Sequence, residues 1–472
     1  MSVGGALTCP RDGTSTRLTC VECQTPICPK CSVRTPVGLK CPDHATAPGA
    51  ARRRAGNRRS RAGMALLAAA AVAGGVYAVQ RLGVSEPATF PCPTQTAPDV
   101  GIGPESRGTS WSEMERSPLC GRFSAATAWT GTEFVVWGGQ NCAGEQCPAA
   151  RSPRMSDGGA YDPARDRWRR IADSPLEGRD SPASVWTGKE LLVWGGSGRT
   201  GDLADGAAYD PARDRWRPLA PSPLTPRAAP GAVWTGREMV VWGGRDAGGA
   251  RYDPEADRWE PLPPSGAAAW ARPVAAWTGA EVLVWSSADG DGAVAPSGRA
   301  YDPARNAWRP LPPGPLTARS GVAAVWTGRE LLIWGGDNPE IEYFADGAAY
   351  DPTADRWRPL ATGRVSPRSN MLAVWTGSEM LVWGGLGNPD VEQVRPGLSR
   401  NSPFLDPLAS VPLADGAAYD PATDRWRRLE DTTLLARAYP LGAWDGQRLL
   451  VWGGITLVDS IASAADGARH TP

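Results

Sequence analysis

Eight residues near the start of the chain have the types and spacing of metal ligands: Cys9 and Asp12, Cys20 and Cys23, Cys28 and Cys31, Cys41 and His44, each pair separated by two residues. Such spacing sets two donors on one tight turn, and eight donors suffice for two tetrahedral zinc ions. Asp12 is the weakest member, because a carboxylate is a less common structural ligand than thiolate or imidazole; without it one site keeps three protein ligands. A segment of about 40 residues buries too little apolar surface to fold unaided, so metal binding, worth on the order of 10 kcal/mol per site, would supply its stability. A disulfide-stapled module is the alternative, and four regular Cys-x-x pairs favour metal.

A second set with chemical potential is spread along the rest of the chain. Arg122, Arg179, Arg227, Arg272, Arg319, Arg368 and Arg437 each precede a Trp, six of them by seven residues and Arg272 by five. Carboxylates recur at Asp157, Asp205, Asp346, Asp415 and Asp466, replaced by Gly248 and Ser297 in the third and fourth units. Guanidinium groups in such a series either bind carboxylates and backbone carbonyls as an internal lattice, or present a ring of donors to an anionic or sugar-like ligand at the mouth of a channel. Both readings stay open at this level. Histidine chemistry has little to work with, since His44 and His470 are the two histidines of the chain. Glu190 and Asp214, in repeated turns, read as turn caps rather than an acid/base pair.

The elements that position the arginines follow from an internal repeat. A unit reading Ala-Val-Trp-Thr-Gly-x-Glu-Leu-Leu-Val-Trp-Gly-Gly, a variable stretch, then Asp-Gly-Ala-Ala-Tyr-Asp-Pro-x-x-Asp-Arg-Trp-Arg-Pro-Leu recurs seven times, its first Trp at 129, 186, 234, 277, 326, 375 and 444. The second Trp precedes the glycine pair, which only the fourth unit replaces, by Ser286-Ser287. The third Trp is present in six units; the seventh stops at Pro472 before reaching it, and Trp111 upstream supplies the missing member. Four short runs of Val, Leu, Trp and Tyr between turn signals read as a four-stranded antiparallel sheet. The expected fold is therefore all-β, a seven-bladed propeller over residues 109–472, closed by an N-terminal strand that completes the last blade and leaves no bare edge.

The Gly-Gly doublet followed by spaced Tyr and Trp resembles the kelch repeat, and this resemblance spans about residues 109–472. It implies a propeller that recognises a protein, glycan or cell-wall ligand. It also brings a carbohydrate-active alternative of the galactose oxidase or sialate epimerase type, although the histidine copper ligands of the former have no counterparts here. Short stereotyped turns, Trp-Thr-Gly and Tyr-Asp-Pro, would share one face and look structural. The loops after Gly-Gly vary in length, Gln140 to Gly159 and Leu386 to Asp415 being long, and would form the binding face. At the N-terminus, the cysteine spacing resembles B-box-type zinc fingers. The phrase from Cys23-Gln-Thr-Pro-Ile-Cys28-Pro-Lys-Cys31 to Val37-Gly-Leu-Lys-Cys41-Pro is similar to the small cysteine domain before some bacterial rhomboid proteases. By that resemblance the pairs cross-brace, first with third and second with fourth.

Charge divides the chain as well. Residues 1–61 hold 11 Lys+Arg against 3 Asp+Glu, leaving 39 against 47 in the remainder. A mildly acidic body argues against nucleic acid as a partner of the large domain. The basic excess adjoins an uncharged run, Met64 to Val79, of 16 residues. As a helix it spans about 24 Å, and Leu82 to Val84 with a snorkelling Arg81 would extend it toward a core of about 30 Å. The alternatives are a signal peptide and a soluble Ala-rich helix. The expectation is a single-pass membrane protein with the N-terminus cytoplasmic and the propeller extracytoplasmic. Cysteine usage agrees with it: thiolate ligands on the reducing side, and Cys92, Cys120, Cys142 and Cys147 as disulfide candidates on the oxidising side.

The expected organisation is a zinc-binding domain at 1–46, a basic linker at 47–62, a transmembrane helix at 63–84, a stalk at 85–108 and the propeller at 109–472. The zinc finger would contact a cytoplasmic partner, and the molecule is read as a binding protein rather than an enzyme.

Overall fold

Val, Leu, Ile, Met, Phe and Trp fill the second strand of every repeat without alternation: Phe134–Trp137, Leu191–Trp194, Met239–Trp242, Leu331–Trp334, Met380–Trp383 and Leu449–Trp452 are buried at all four positions. A strand that is apolar on both sides must have neighbours packed on both faces, which is the demand that stacking of sheets satisfies. The computed structural model of the chain describes residues 110–144, 152–244, 247–266, 273–286, 297–338, 342–363, 365–388, 410–457 and 461–472, with short strands farther upstream. It divides into two compact units, Met1–Pro87 and Ala88–Pro472.

In the first unit, Leu7–Thr8 pairs with Ser15–Thr16 and Val33–Thr35 with Gly38–Lys40, both antiparallel. The eight proposed zinc ligands lie outside the described residues.

The second unit is all-β and propeller-like. Seven four-stranded antiparallel sheets, here blades 1 to 7, follow the seven repeats. Blade 2 shows the pattern: Ala183–Trp186, Leu191–Trp194, Gly206–Asp210 and Arg215–Pro218 pair in sequence order. The first strands, Ala126–Trp129, Ala183–Trp186, Gly231–Trp234, Val274–Trp277, Ala323–Trp326, Leu372–Trp375 and Leu441–Trp444, each touch the next, and the last touches the first, so they line a closed ring. Blade 7 takes its fourth strand from upstream: Trp111–Glu113 pairs with Gly467–His470, with Trp111 opposite His470. The ring is thus closed by the strand that the tryptophan spacing assigns to it.

Local chemistry fixes the two turns of each blade. In the first, Thr130 Oγ1 accepts the Glu133 N–H at 2.9 Å while Gly131 takes a left-handed φ of 97°. In the second, Asp162 Oδ1 accepts the N–H groups of Ala164 and Arg165, and Asp166 is left-handed (φ 49°), a conformation that Asp and Asn tolerate best after Gly. Between blades, each third-strand Tyr meets the third Trp of its own repeat, and that Trp packs on the second Trp of the preceding blade: Trp216 lies 5.1 Å from Tyr209 and 5.3 Å from Trp137. Trp111 does the same for blade 7, 5.8 Å from Trp383.

The membrane expectation is corrected. Among the described residues there is no helix, and none long and apolar enough to cross a membrane; the segment 63–84 lies outside them. The physical weakness was visible already: sixteen uncharged residues reach about 24 Å, short of a hydrocarbon core, and the extension had to borrow Arg81. The single-pass topology, and the assignment of the two ends to opposite sides of a membrane, fall with it.

Candidate functional site

The repeated arginines are structural donors turned inward. Arg122, Arg179, Arg227, Arg319, Arg368 and Arg437 are 0–3 % exposed. In each, Nε donates to the carbonyl two residues back at 3.0–3.2 Å. Nη1 donates to the carbonyl of the first glycine of the doublet at 3.1–3.3 Å. The carboxylates of Asp157, Asp205, Asp346, Asp415 and Asp466 complete the set at 2.6–3.1 Å, and in blade 3, where Gly248 replaces Asp, the Gly248 carbonyl accepts at 2.9 Å. Burial pushes the Arg122 and Arg368 pKa below the usual guanidinium value, and Asp157 and Asp415 oppose that shift. Arg272 lies outside the described residues.

The same arginines stitch blade to blade. In five of the six doublets the second glycine donates its N–H to the carbonyl of the next blade's arginine: Gly139 to Arg179, Gly196 to Arg227, Gly336 to Arg368, Gly385 to Arg437 and, across the closure, Gly454 to Arg122, at 2.8–2.9 Å. Gly139 holds φ at 91°, and a Cβ there would stand 2.8 Å from the Phe123 carbonyl oxygen, so the doublet is required by both conformation and space.

Two residues after each arginine the chain turns left-handed: Ser124, Ser181, Ala229, Gly321, Asn370 and Tyr439, with φ of 49–62°. These residues bond in series, Ser181 N–H to the Ser124 carbonyl at 2.8 Å, Ala229 to Ser181 at 2.9 Å, Asn370 to Gly321 at 2.8 Å and Tyr439 to Asn370 at 3.0 Å. They form a rim, of which Ser124, Gly321, Asn370 and Tyr439, together with Met371, line a cavity of about 250 Å³. Outside this rim the chain after Gly-Gly adds a layer that the repeat pattern does not announce. Gln140 bridges Phe123 and Arg154, Ser197 bridges Asp180 and Asp202, and Asp337 bridges Ser320 and Tyr343. In blade 6 the layer becomes a three-stranded sheet, Arg368–Ser369, Leu386–Gly387 and Val411–Pro412. At the closure it becomes four-stranded, recruiting Ala143–Gly144 of blade 1 to Ile461–Ser463. Asp337 accepts the Ser320 and Ser369 hydroxyls at 2.7 and 2.8 Å, and Tyr343 donates to Ser410.

On the opposite face the acidic residues are engaged with arginine and tyrosine. Glu190 is held by both ends of Arg217 (3.1 and 2.7 Å), and Asp214 accepts the Tyr209 hydroxyl at 2.6 Å and the Ala172 N–H at 3.0 Å. Neither is a turn cap: Glu190 is an ion-pair partner, Asp214 ties its own blade to the preceding one, and Asp210 accepts the Ala212 and Arg213 N–H groups of the turn. Burial together with the carboxylate neighbour raises the Tyr350 pKa to about 12, and burial dominates the rise to about 12 at Tyr419. A second cavity, of about 720 Å³, opens here between the turns of blades 4 and 5.

His470 is buried, stacked on Trp111 at 4.6 Å, with Nδ1 2.8 Å from Ser110 Oγ. Cys120 and Cys142 are both disulfide-bonded, while Cys92 and Cys147 lie outside the described residues. Among the described residues no three His, Cys, Asp or Glu side chains converge as a metal site. No family model and no curated protein matches the chain.

Proposed function

We propose that the second unit is a seven-bladed kelch-type propeller whose activity is recognition of a protein, glycan or cell-wall ligand at the rim formed by the left-handed residues that follow the repeated arginines. The observation that carries this reading is the contrast in how side chains are used. Repeated arginines and aspartates are spent on the protein's own carbonyls and carboxylates. The rim positions, by contrast, hold five residue types in six blades: Ser124, Ser181, Ala229, Gly321, Asn370 and Tyr439, all half-buried. A rigid repeated scaffold carrying non-repeated hydroxyl, amide and phenol groups around a cavity is what selective binding needs.

Titration of the full chain by calorimetry with neutral and acidic oligosaccharides, and with soluble peptidoglycan fragments, tests this. A ligand found there should bind about tenfold more weakly to Asn370→Ala and Tyr439→Ala. Binding indifferent to both substitutions rejects the rim as the site.

Residues 1–46 are proposed as a zinc-binding module that contacts a protein partner, with Cys9, Asp12, Cys20, Cys23, Cys28, Cys31, Cys41 and His44 as ligands. Supporting it, the Val33–Thr35 and Gly38–Lys40 ladder falls between Cys31 and Cys41, so that a short hairpin connects two ligand pairs. Elemental analysis of the purified chain should return two zinc ions; none at all removes the proposal.

A further inference from the structure

The cavity between blades 4 and 5 lies on the face whose stereotyped turns suggest a purely structural role. It is lined by the Trp-Thr-Gly turn and the Asp302 to Arg305 turn of blade 4, and by Trp326, Arg329 and the Pro352-Thr353 turn of blade 5. Its origin can be read from one position. The residue after Gly in this turn is Thr132, Lys189, Arg237, Arg329, Ser378 or Gln447 in the other blades, and Ala280 in blade 4, the smallest of the seven. Arg237 and Arg329 reach the Asp of their own second turn, 3.6 Å away in each case. Ala280 cannot, and the space such a side chain would occupy is open.

The chemistry around that space is specific. Trp277 and Trp326 are half-buried, leaving part of each indole uncovered. Arg305 and Arg329 stand at the rim, 83 % and 80 % exposed, each tied to one carboxylate (Asp302 at 2.6 Å, Asp351 at 3.6 Å) and keeping further N–H donors. Glu281 is taken by both ends of Arg309, at 2.9 and 2.7 Å, so it offers no free negative charge. Backbone donors are also spent: Thr278 N–H bonds the Glu281 carbonyl, Glu281 N–H bonds Thr278 Oγ1, and Ala304 and Arg305 N–H groups bond Asp302. The lining consists of turns and the last residues of strands, too short a stretch of edge for an extended peptide to pair along. A ligand must instead use aromatic faces for apolar contact and guanidinium groups for hydrogen bonds, and carboxylates are the groups guanidinium pairs with best. The volume falls in the range of small-ligand sites.

We infer that this cleft is a second binding site, separate from the rim, and that it takes an acidic oligosaccharide whose ring stacks on Trp277 or Trp326 and whose carboxylate meets Arg305 and Arg329. The inference does not rest on the rim reading, since no residue is shared.

The test uses the full chain and trigalacturonic acid, with cellotriose and a pentaglutamate peptide as controls, measured by calorimetry. Trigalacturonic acid should bind, and cellotriose should bind about tenfold more weakly for want of the charge. Ala280→Arg, which installs the residue already carried at Arg237 and Arg329, should abolish binding without lowering the thermal midpoint, because the position is exposed. Arg305→Ala with Arg329→Ala should weaken trigalacturonic acid to the level of cellotriose. Undiminished binding to Ala280→Arg overturns the inference, as does binding of pentaglutamate with none of trigalacturonic acid. Loss on Asn370→Ala and Tyr439→Ala, with Ala280→Arg unaffected, moves the saccharide to the rim and also overturns it.

Discussion

The junction between blades 1 and 2 is continuous in sequence, whereas blade 7 meets blade 1 across strands far apart in the chain, and the two are built differently. At the first, the Trp216 indole donates to the Ala172 carbonyl at 3.0 Å, and Arg169 grips Glu133 at 2.8 and 2.7 Å while reaching the Tyr209 hydroxyl at 3.3 Å. At the closure, the backbone lattice persists, with Gly454 N–H on the Arg122 carbonyl and Glu115 N–H on Asp166 at 2.9 Å each. Side chains have changed. The Trp168 indole N–H has no partner, Ser112 stands where other blades carry the gripping arginine, and Arg469 of the neighbouring strand reaches Asp166 at 3.3 Å instead. Blade 3 makes the same exchange without any break, since Glu260 occupies the fourth-strand position and Arg251 of the third strand pairs with it. The lattice therefore needs a guanidinium within reach of the next blade, and which strand supplies it is negotiable.

The largest way to break the comparison is at the closing strand. Trp111 fills the space between Trp383 and His470 and donates to the Glu430 carbonyl at 3.0 Å, on a strand that pairs at only three positions. Trp111→Ala should cost about 3–5 kcal/mol, the usual range for deleting a buried large aromatic. Trp216→Ala removes the same group from a strand covalently fixed at both ends, and should cost less. Denaturant melts of the two variants decide it: a Trp111→Ala loss equal to or below that of Trp216→Ala means the closing strand is not the weak point.

How much of this could be read from residues alone follows from where each interaction lies in the chain. Tryptophan spacing sufficed to number the blades and to place Trp111 in the last one, because local turn chemistry repeats and its register never drifts. The arginines and the internal lattice they form were both within reach of the residues, but the choice between lattice and ligand ring was not. A guanidinium seven residues before a Trp looks the same whether its acceptors are the Gly138 and Cys120 carbonyls or a ligand, and only burial separates the two. The layer beyond Gly-Gly was illegible, since Ala143–Gly144 pairs with Ile461–Ser463 more than 300 residues away and nothing in either segment advertises the other. The cleft beside Ala280 did leave a trace, a small residue in a column of larger ones, and it was obscured by treating all short turns as equivalent.

A smaller difference between the junctions is sensitivity to acid. Blade 7 carries His470 where its counterparts carry Tyr, and its buried Nε2 has no partner. Burial lowers the His470 pKa, with Arg427 adding to the effect and Glu430 and the Ser110 backbone opposing it. A folded pKa below the unfolded value means that the unfolded chain binds the proton first as pH falls. Stability is then level above about pH 7, declines as pH drops through the mid-6 range, and flattens below the folded pKa. His470→Tyr should abolish that part of the pH dependence, read from denaturant midpoints between pH 5 and 8. An unchanged pH profile in His470→Tyr would assign the effect to other groups.

The smallest effect tests the idea that the arginine's strand is negotiable. Arg469 donates to Ser112 Oγ at 3.2 Å, to the Glu113 carbonyl at 3.0 Å and to Asp166, which is 41 % exposed. Solvent screens such a pair, so Arg469→Ala should lose no more than about 1 kcal/mol. Position 112 faces Arg469 across the ladder. A guanidinium placed there by Ser112→Arg occupies the site that Arg169, Arg217, Arg309 and Arg358 hold in their own blades, from which each reaches the next blade's tyrosine. The double variant, Ser112→Arg with Arg469→Ala, should therefore recover most of what Arg469→Ala loses. If the closure instead requires its cation on the third strand, because the short Trp111–Glu113 strand cannot hold a long side chain in register, the double variant will be no more stable than the single.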